Sequence, residues 1–213
     1  DTLFAEYTIN HKMTHSQTLL PMIDEIFSMV QLKPDDVDVI AVSKGPGSFT
    51  GLRIGAATGK GIALALDKKM VAVPTLAAMA YNLYGDSRYI CPVMDARRKH
   101  LYSGIYTFDG DRLITVRDVN LESYDELAEE LVGLDGQVVL VGDGVDVAGE
   151  VLKEQLGDKC VLAPAHIKTQ RAGSVALLAK QMADNGEYTD ADELKPDYLR
   201  PSQAEREKAQ HES

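Results

Sequence analysis

The chain is 213 residues long, which is enough for one large domain or two modest domains with a hydrophobic core. It carries 33 acidic and 22 basic side chains, so its formal net charge is −11 and its overall field should repel a polyphosphate. This charge argues against a protein that binds nucleic acid by itself. The sequence contains no run near ~20 apolar residues and opens with no basic and apolar leader, so we expect no contact with a membrane.

The two cysteines lack the Cys-x-x-Cys spacing of a metal or redox motif. Cys91 and Cys160 each lie within a short apolar run, which predicts buried thiols. Isolated buried thiols are typical of proteins from a reducing compartment. We therefore expect a cytoplasmic protein.

The N-terminal part of the sequence predicts a strand followed by a helix. Residues 3–9 alternate apolar and polar side chains, which is the period-2 pattern of a half-buried strand. Thr14 opens a predicted capping box, and apolar side chains then recur at helical spacing over residues 16–30. Because proline is comfortable only in a first turn, the helix should start near Leu20 or be kinked at Pro21.

Two histidines in this region have the spacing of a metal pair. On a helix, His11 and His15 would present two imidazoles one turn apart. However, no Glu follows the first histidine, and the pair falls in a predicted turn. We therefore interpret them as solvated or capping side chains.

The segment 43–66 organises the rest of the sequence. An apolar strand at residues 37–42 leads through a Gly-Pro-Gly loop into a helix over residues 50–66, whose N-cap is Ser48 or Thr50. Small residues recur at every fourth position of this helix, namely at Gly51, Gly55, Gly59 and Ala63. Each interior glycine costs about 1 kcal/mol relative to alanine, so close packing must offset the loss. Either another element of the chain or a partner protein could pack on this bare face.

A glycine loop at the start of a helix is also typical of phosphate sites, because the first-turn amides are unpaired and the helix dipole attracts anions. The spacing fits neither known fingerprint. A Walker loop would need glycine in place of Ile54 and a hydroxyl in place of Gly61, and Thr50 stands where the third Rossmann glycine should fall. An ordinary turn is the simpler interpretation.

The middle of the sequence predicts a domain boundary and a run of strands. A strand at residues 70–73 and a helix at residues 75–83 are followed by a break at residues 84–88, where we place the boundary. Three strands are predicted next, at residues 89–94, 101–108 and 113–119, the last two joined by a hairpin turn at Asp109-Gly110-Asp111. Arg97 and Arg98 belong to a basic run between the first two strands. Such a run is normally solvated, but in an acidic protein it could contact an anion or a partner.

The remaining elements alternate between helix and strand, as in an α/β fold. Ser123 and Glu126 form a predicted capping box ahead of an acidic helix. The later elements are a strand at residues 137–141, a glycine turn at Gly142-Asp143-Gly144, a helix to residue 156, a strand at residues 159–163, a helix at residues 174–184 and a polar linker at residues 190–196.

Several motifs occur together in an order that is similar to one known family. Residues 44–55, KGPGSFTGLRIG, resemble the signature of the TsaB family. The further matches are His15-Ser16-Gln17 to Leu20-Pro21, Asp95-Ala96-Arg97-Arg98, Tyr198-Leu199-Arg200 and Ala204-Glu205. TsaB proteins are the bacterial partner subunits of TsaD, the enzyme that makes threonylcarbamoyladenosine in tRNA. The similarity covers nearly the whole chain.

The resemblance implies an α/β protein with two actin-like (ASKHA, ribonuclease-H-like) domains. The first would comprise residues 1–84 and 186–213, closed by a C-terminal anchor at residues 198–201, and the second would comprise residues 85–185. Family members are expected to begin with an apolar strand that ends in Asp-Thr-Ser. Asp1-Thr2-Leu3 resembles the second strand instead, so we expect the first strand to be missing from this sequence.

The resemblance also implies a non-catalytic subunit. The helices at residues 16–30 and 50–66 would pair with the matching helices of TsaD, or with a second copy of this chain when TsaD is absent. TsaD would carry the metal and the transfer chemistry, while this chain would support it, help to recruit the ATPase TsaE and touch tRNA only indirectly. The predicted contact residues are Leu19, Ile23, Ile26, Phe27, Gly51, Arg53, Gly55, Gly59 and Ala63.

The chain itself is expected to need no cofactor and no metal. Residues 73–80, where TsaD-like relatives place their metal histidines, contain no metal ligand. ATP or ADP is expected only at the level of the complex. By analogy with actin-like ATPases, the candidate anion or nucleotide contacts are Gly142, Gly144, Arg97 and Arg98. An ordinary strand-to-helix turn is the simpler interpretation of the two glycines.

The alternative is an enzyme that acts alone. It would be an actin-like ATPase, or the peptidase that the older glycoprotease label of this family suggests. An ATPase needs carboxylates that hold magnesium beside a phosphate loop. For a peptidase, the sequence offers neither Gly-x-Ser-x-Gly nor His-Glu-x-x-His. We therefore expect no intrinsic catalysis.

Overall fold

The first half of the chain forms a parallel strand, helix, strand unit beside one further helix. The computed structural model describes residues 2–10 and 15–197. Its first elements are α1 (His15–Val30), a 3-10 turn (Pro34–Asp36), β1 (Val39–Gly45), α2 (Phe49–Leu66) and β2 (Lys69–Pro74). The two strands pair in parallel, with Val39 opposite Lys69. The strands predicted at residues 37–42 and 70–73 and the helices predicted at residues 16–30 and 50–66 are confirmed, with shifted ends.

Helices cover both faces of this two-stranded sheet. On one face, Ile40 and Val42 pack with Ala63 of α2 and Met70 of β2. The other face is covered by α6 (Ala172–Asp184), in a cluster that includes Val39, Ala41, Val71, Val73, Ala78 and Ala179. The predicted domain boundary after residue 185 therefore separates α6 from the sheet on which it packs.

The second half forms a five-stranded sheet. Its strands are β3 (Tyr89–Arg97), β4 (His100–Asp109), β5 (Arg112–Ser123), β6 (Val138–Val141) and β7 (Cys160–Leu162). Their order is β5-β4-β3-β6-β7, with β3, β4 and β5 antiparallel and with β6 and β7 parallel to β3. All the predicted strands of this half are present. The predicted hairpin turn is confirmed, since Asp109 pairs with Arg112 and Gly110 has a φ of 57°.

Helices pack on both faces of the second sheet: two on one face, and a third, which follows β2 in the chain, on the other. α4 (Tyr124–Gly133) and α5 (Val145–Leu156) enclose a core with the sheet. The predicted capping box at the start of α4 is confirmed, since the Glu126 carboxylate accepts from the Ser123 N–H at 2.8 Å. α3 (Thr75–Ala80) packs on the opposite face, where Leu76 and Met79 are fully buried.

Both thiols lie in the core of the second half, as predicted. Cys91 is 0% exposed and Cys160 is 5% exposed. Burial raises the pKa of both thiols, because a thiolate would lose its hydration there. Neither cysteine is therefore activated as a nucleophile.

A buried ionic network lies beneath the β4 and β5 strands. Glu122 is 6% exposed, and its carboxylate accepts from the Arg117 guanidinium at 2.7 Å and from the Ser103 hydroxyl. Arg117 also donates to Glu130 of α4 at 3.1 Å, from Nε. Each buried group of this network thus has a polar partner, which a buried charge requires.

The strand predicted at residues 3–9 is wrong. These residues have no regular secondary structure. The Glu6 carboxylate accepts from the Gly173 N–H at 3.0 Å and pairs with Arg171 at 2.5 Å, so the segment lies against the start of α6. An alternating pattern selects which side chains share a face, but a strand also needs a neighbouring strand with which to form hydrogen bonds.

Of the two alternatives for α1, the start near Leu20 is wrong, whereas the kink at Pro21 stays a prediction. The helix begins at His15 and continues through Pro21. The predicted capping residue Thr14 lies outside the described residues. No helix in the described part of the chain is both long enough and apolar enough to cross a membrane.

The predicted polar linker at residues 190–196 is packed on the first sheet instead. Leu194 is 2% exposed and belongs to the cluster around Met70. The Asp197 N–H donates to the Lys44 carbonyl at 2.7 Å, next to the end of β1. The chain therefore returns to the first sheet before the predicted anchor at residues 198–201, which lies outside the described residues.

Candidate functional site

α2, the central helix of the predicted site, is fixed at its start by a side-chain cap. The Ser48 hydroxyl accepts a hydrogen bond from the Gly51 N–H at 3.3 Å. Ser48 is therefore the N-cap, and the other candidate, Thr50, lies in the first helical turn. The helix ends at Leu66, and its C-cap Asp67 adopts a left-handed conformation with a φ of 51°.

The predicted small-residue face of α2 turns toward the sheet in its second half. Gly59 is buried, and a Cβ at this position would lie 2.5 Å from Val42 Cγ1 and 3.3 Å from Met70 Cε. Ala63 is 1% exposed. These two residues pack within the chain and present no surface to a partner in this conformation.

The first half of the same face opens onto a groove. A Cβ on Gly55 would meet no heavy atom within 4 Å, and a Cβ on Gly51 would lie 3.9 Å from the His15 ring. Gly55 lines a groove between α1, α2 and β1, which we call the β1 groove. The predicted contact residues Leu19, Ile23 and Phe27 of α1 line the same groove, whereas Ile26 is not part of its lining.

The β1 groove has a volume of about 680 Å³ and mostly apolar walls. Five residues of β1, from Val39 to Ser43, form its floor, and the start of α6 forms the wall opposite α1 and α2. Among the described residues, β1 pairs only with β2. Most of the predicted contact residues therefore face an internal groove.

The opposite face of α2 is exposed, and it carries a second series of residues spaced four apart. This outer face contains Arg53, Ala57 and Gly61, together with Leu64, which is 63% exposed. A Cβ on Gly61 would meet no atom within 4 Å. Arg53 lies over the ring of Phe49 at 3.9 Å. Of the predicted contact residues on α2, Arg53 is the one on the outer face.

The predicted contact residues do not include Ala57, Gly61 and Leu64, which are exposed on this outer face. The prediction followed the series with the most glycines, which faces inward. The sequence did contain the signal for the outer series, because Arg53, Ala57, Gly61 and Ala65 also recur every four residues. On α1, Leu20 is 55% exposed and adds a further apolar side chain to the surface of this helix pair.

Of the candidate anion contacts, the two glycines pack on the middle of β3 at Val93, whereas the two arginines lie at and just after its end. The Gly144 N–H donates to the Val93 carbonyl at 3.0 Å, and the Gly142 N–H donates to the Lys168 carbonyl at 2.6 Å. Gly142 has a φ of +114°, and a Cβ there would lie 2.1 Å from the Val93 oxygen. The turn therefore requires glycine for close packing on β3, which is sufficient reason for both residues without a ligand.

Two carboxylates, those of Asp95 and Asp143, lie close to each other beside β3. The Asp95 carboxylate pairs with the Arg97 guanidinium at 3.1 Å. Partial desolvation raises the pKa of the Asp143 carboxyl, and the Asp95 charge adds to this increase. Arg97 and Arg98 lie in an exposed turn with φ values of 67° and 56°. A carboxylate next to the arginines competes with an anion for them, as Asp95 does for Arg97. Anion binding by Arg97 and Arg98 stays a prediction.

One residue of the suggested metal pair, His11, lies outside the described residues. His15 is the first residue of α1. Within residues 2–10 and 15–197, no three His, Cys, Asp or Glu side chains come together as metal ligands would.

The sequence of this chain is similar to proteins of one known pathway over most of its length. The model of the TsaD family, described as tRNA N6-adenosine threonylcarbamoyltransferase, matches residues 2–208. The tRNA threonylcarbamoyladenosine biosynthesis protein TsaB of Bacillus subtilis is 32% identical over 208 residues, which is 96% of this chain and 88% of that protein. The TsaB protein of Escherichia coli is 31% identical over 193 residues, which is 87% of this chain and 80% of that protein.

A solved structure is similar to most of the fold. YeaZ from Pseudomonas aeruginosa has a TM-score of 0.73 and 27% sequence identity, covering 88% of this chain and 86% of that chain. The two sheets and their helices thus define an α/β protein of the two-domain actin-like class. Within that class, the chain belongs to the TsaB (YeaZ-like) family.

Proposed function

We propose that this chain is a non-catalytic subunit in the biosynthesis of threonylcarbamoyladenosine in tRNA, and that it binds TsaD through α1 and the outer face of α2. The observation that carries the proposal is the exposed outer face, where Ala57 and Gly61 lie beside the exposed Leu64. Small residues one turn apart allow a second helix to approach closely, and an apolar side chain beside them supplies area to bury.

The similarity to TsaD itself supports a helix as the binding partner. Because the TsaD family model matches residues 2–208, TsaD is expected to carry a helix pair that corresponds to α1 and α2. Two related helix pairs can pack as a mixed four-helix bundle around an approximate two-fold axis. The same surface would pair two copies of this chain when TsaD is absent, so the homodimer and the TsaD complex should compete.

The net charge of this chain supports tRNA contact by TsaD within the complex. A chain with a net charge of −11 is poorly suited to hold tRNA by itself. TsaD would therefore contact the tRNA and carry out the transfer to the adenosine beside the anticodon, and nucleotide binding would belong to the complex. This chain would shape TsaD and help to recruit TsaE.

Three side chains among the described residues that could act as nucleophiles support a non-catalytic role. The Ser103 hydroxyl is fully buried and bonded to Glu122, and both thiols are buried with raised pKa values. A nucleophile needs access to its substrate and an activating base. These three groups are better explained as parts of the core.

Size-exclusion chromatography with light scattering tests the proposal. The chain is run alone, with purified TsaD, and with TsaD and TsaE together. We expect a homodimer that is replaced by a complex with TsaD as TsaD is added. A chain that stays apart from TsaD at micromolar concentrations, or a ternary species that retains the homodimer, would contradict the proposal.

A further inference from the structure

The turn between β3 and β4, which we call the basic turn (residues 97–99), carries three consecutive basic residues in an unfavourable backbone conformation. Arg97 pairs with His100 across the two strands, so Arg98 and Lys99 form a two-residue hairpin loop. The φ values of Arg97, Arg98 and Lys99 are 67°, 56° and 59°. A loop with positive φ at both central positions prefers Asn-Gly, because a Cβ disfavours the left-handed region. The sequence therefore keeps large side chains where smaller residues would be more stable.

The other hairpin of the same sheet has the usual kind of loop. Asp109 pairs with Arg112, and the loop between them places Gly110 in the left-handed region, with a φ of 57°. Among the described residues, five that are not glycine have a positive φ, and three of these five form the basic turn. Residues that conflict with their local backbone preference concentrate at functional sites. The conflict indicates that the basic turn is retained for its side chains.

Contacts on both sides fix the shape of the basic turn. The Asp95 carboxylate accepts from the Arg97 N–H at 2.7 Å and pairs with the Arg97 guanidinium at 3.1 Å. The His100 Nδ1–H donates to the Arg98 carbonyl at 2.8 Å. Arg97 is therefore engaged with Asp95, whereas Arg98 and Lys99 form the exposed tip. The tip presents two cations on a backbone that is held in place.

A phosphate group is the ligand that these two side chains fit. A guanidinium such as that of Arg98 donates two N–H groups to one phosphate, and the ammonium of Lys99 adds a point charge beside it. The net charge of −11 belongs to the whole chain, but exposed charges farther away than about 8 Å are largely screened in physiological salt. Contact between the tip and a phosphate therefore depends on the local cations.

The surroundings of the basic turn favour the phosphate backbone of a nucleic acid over a free nucleotide. A small ligand such as ATP binds in a concave site that encloses most of its surface, whereas a nucleic-acid backbone can meet an exposed hairpin tip. A triphosphate would also bring several negative charges near the Asp95 and Asp143 carboxylates beside β3. Each phosphodiester of a backbone brings only one charge to the tip.

We propose that Arg98 and Lys99 bind the phosphate backbone of the tRNA when this chain is assembled with TsaD. The inference rests on the proposed function, because TsaD is expected to hold the tRNA while this chain adds a local contact. It replaces the expectation that the chain touches tRNA only indirectly. The contact would orient the tRNA without selecting its sequence, since phosphates carry no direct sequence information.

Two variants of the basic turn test the contact. Arg98→Gln removes one cation, and the turn double variant combines Arg98→Asn with Lys99→Gly. The double variant has the residues that the loop prefers, so its urea concentration at half-unfolding should rise. Arg112→Gln is the matched control, because it removes one cation from the other hairpin of the same sheet. β4 is 10 residues long, so at about 3.4 Å per residue the two hairpin tips lie about 30 Å apart.

Each variant is first assembled with TsaD, as judged by size-exclusion chromatography. Binding of an unmodified tRNA transcript to the complex is then measured by fluorescence anisotropy at several salt concentrations. We expect the double variant to weaken binding about tenfold at about 0.1 M salt and to lower the slope of log K against log salt by about 1.5, because two phosphate contacts are lost. Arg98→Gln should lower the slope by about half as much, and Arg112→Gln should bind like the unaltered chain.

Three outcomes would overturn the inference while leaving the complex with TsaD in place. Equal affinity and equal slope for the double variant and the unaltered chain would reject the contact. A double variant that unfolds at lower urea, together with normal tRNA binding by Arg98→Gln, would show that the basic residues stabilise the turn itself. Loss of the tRNA contact in the presence of ATP and magnesium would assign the two cations to a nucleotide.

The proposed function fails in a different way. If the unaltered chain does not join TsaD at all, the proposed function and the tRNA contact are both contradicted. If the unaltered chain joins TsaD but the double variant does not, the basic turn belongs to the TsaD interface, and the tRNA contact alone is rejected.

Discussion

Gly59 packs so closely on Val42 that a Cβ on the glycine would lie 2.5 Å from Val42 Cγ1. This contact fixes which face of α2 meets the sheet. Since Gly59 faces inward, the residues two positions before and after it, Ala57 and Gly61, face outward. The surface that we assign to a partner helix therefore follows from one close contact inside the chain.

The first prediction concerns the stability of α2. Gly59→Leu should lower the free energy of unfolding by about 1–3 kcal/mol, because the new side chain has to displace Val42 and Met70. Gly61→Leu is the matched control in the same helix. Its side chain would enter open space, so stability should stay equal or rise by up to about 1 kcal/mol from helix propensity. Urea denaturation measures both, and equal loss in the two variants would contradict the orientation of the helix.

A second prediction concerns the buried ionic network. Arg117→Met should cost about 3–5 kcal/mol, because it leaves the Glu122 carboxylate buried without its cation. Lys180→Met provides the control, since Lys180 pairs with Asp184 on the surface and such pairs contribute about 0.5 kcal/mol or less. Thermal and urea unfolding of the two variants should differ clearly. Similar small losses of stability in the two variants would show that burial of the Glu122 carboxylate does not require the Arg117 cation.

The third prediction is a pH dependence at Glu6. Burial alone would raise the pKa of this carboxyl, but hydrogen bonds from Arg171 and the Gly173 N–H outweigh burial and lower it. A depressed pKa in the folded state stabilises the protein above the unfolded pKa of about 4.3, and this stabilisation is lost as the pH falls through the lower, folded value. Wild type should therefore be more stable than Glu6→Gln at pH 7. The difference should shrink below about pH 4, as followed by denaturation at each pH. A constant difference would rule out the pairing.

Local signals in the sequence predicted the local structure well. The capping box at Ser123, the hairpin turn at Gly110 and the extent of α2 each depend on residues within a few positions of one another. The wrong predictions depend on distant partners. Residues 3–9 have the pattern of a strand, but they lie against α6 at Arg171 and Gly173 instead of against a second strand.

The orientation of α2 could not be predicted for the same reason. Two series of residues run along the helix at a spacing of four, one through Gly55 and Gly59 and the other through Ala57 and Gly61. Helical periodicity separates the two faces but does not say which one meets the sheet. The deciding fact is the shape of the sheet surface around Val42, and this surface is formed by a different part of the chain.

The most direct measurement of the central claim is the affinity for TsaD of two leucine variants of α2. Gly61→Leu and Gly55→Leu each add the same side chain to the same helix at a position with no neighbouring atom within 4 Å, but only Gly61 lies on the outer face. Titration calorimetry, after circular dichroism has confirmed folding, should show binding weakened about tenfold or more by Gly61→Leu, a loss of at least about 1.4 kcal/mol. Gly55→Leu should bind like wild type. If Gly55→Leu abolishes binding while Gly61→Leu binds normally, the partner enters the β1 groove and the outer face is not the interface.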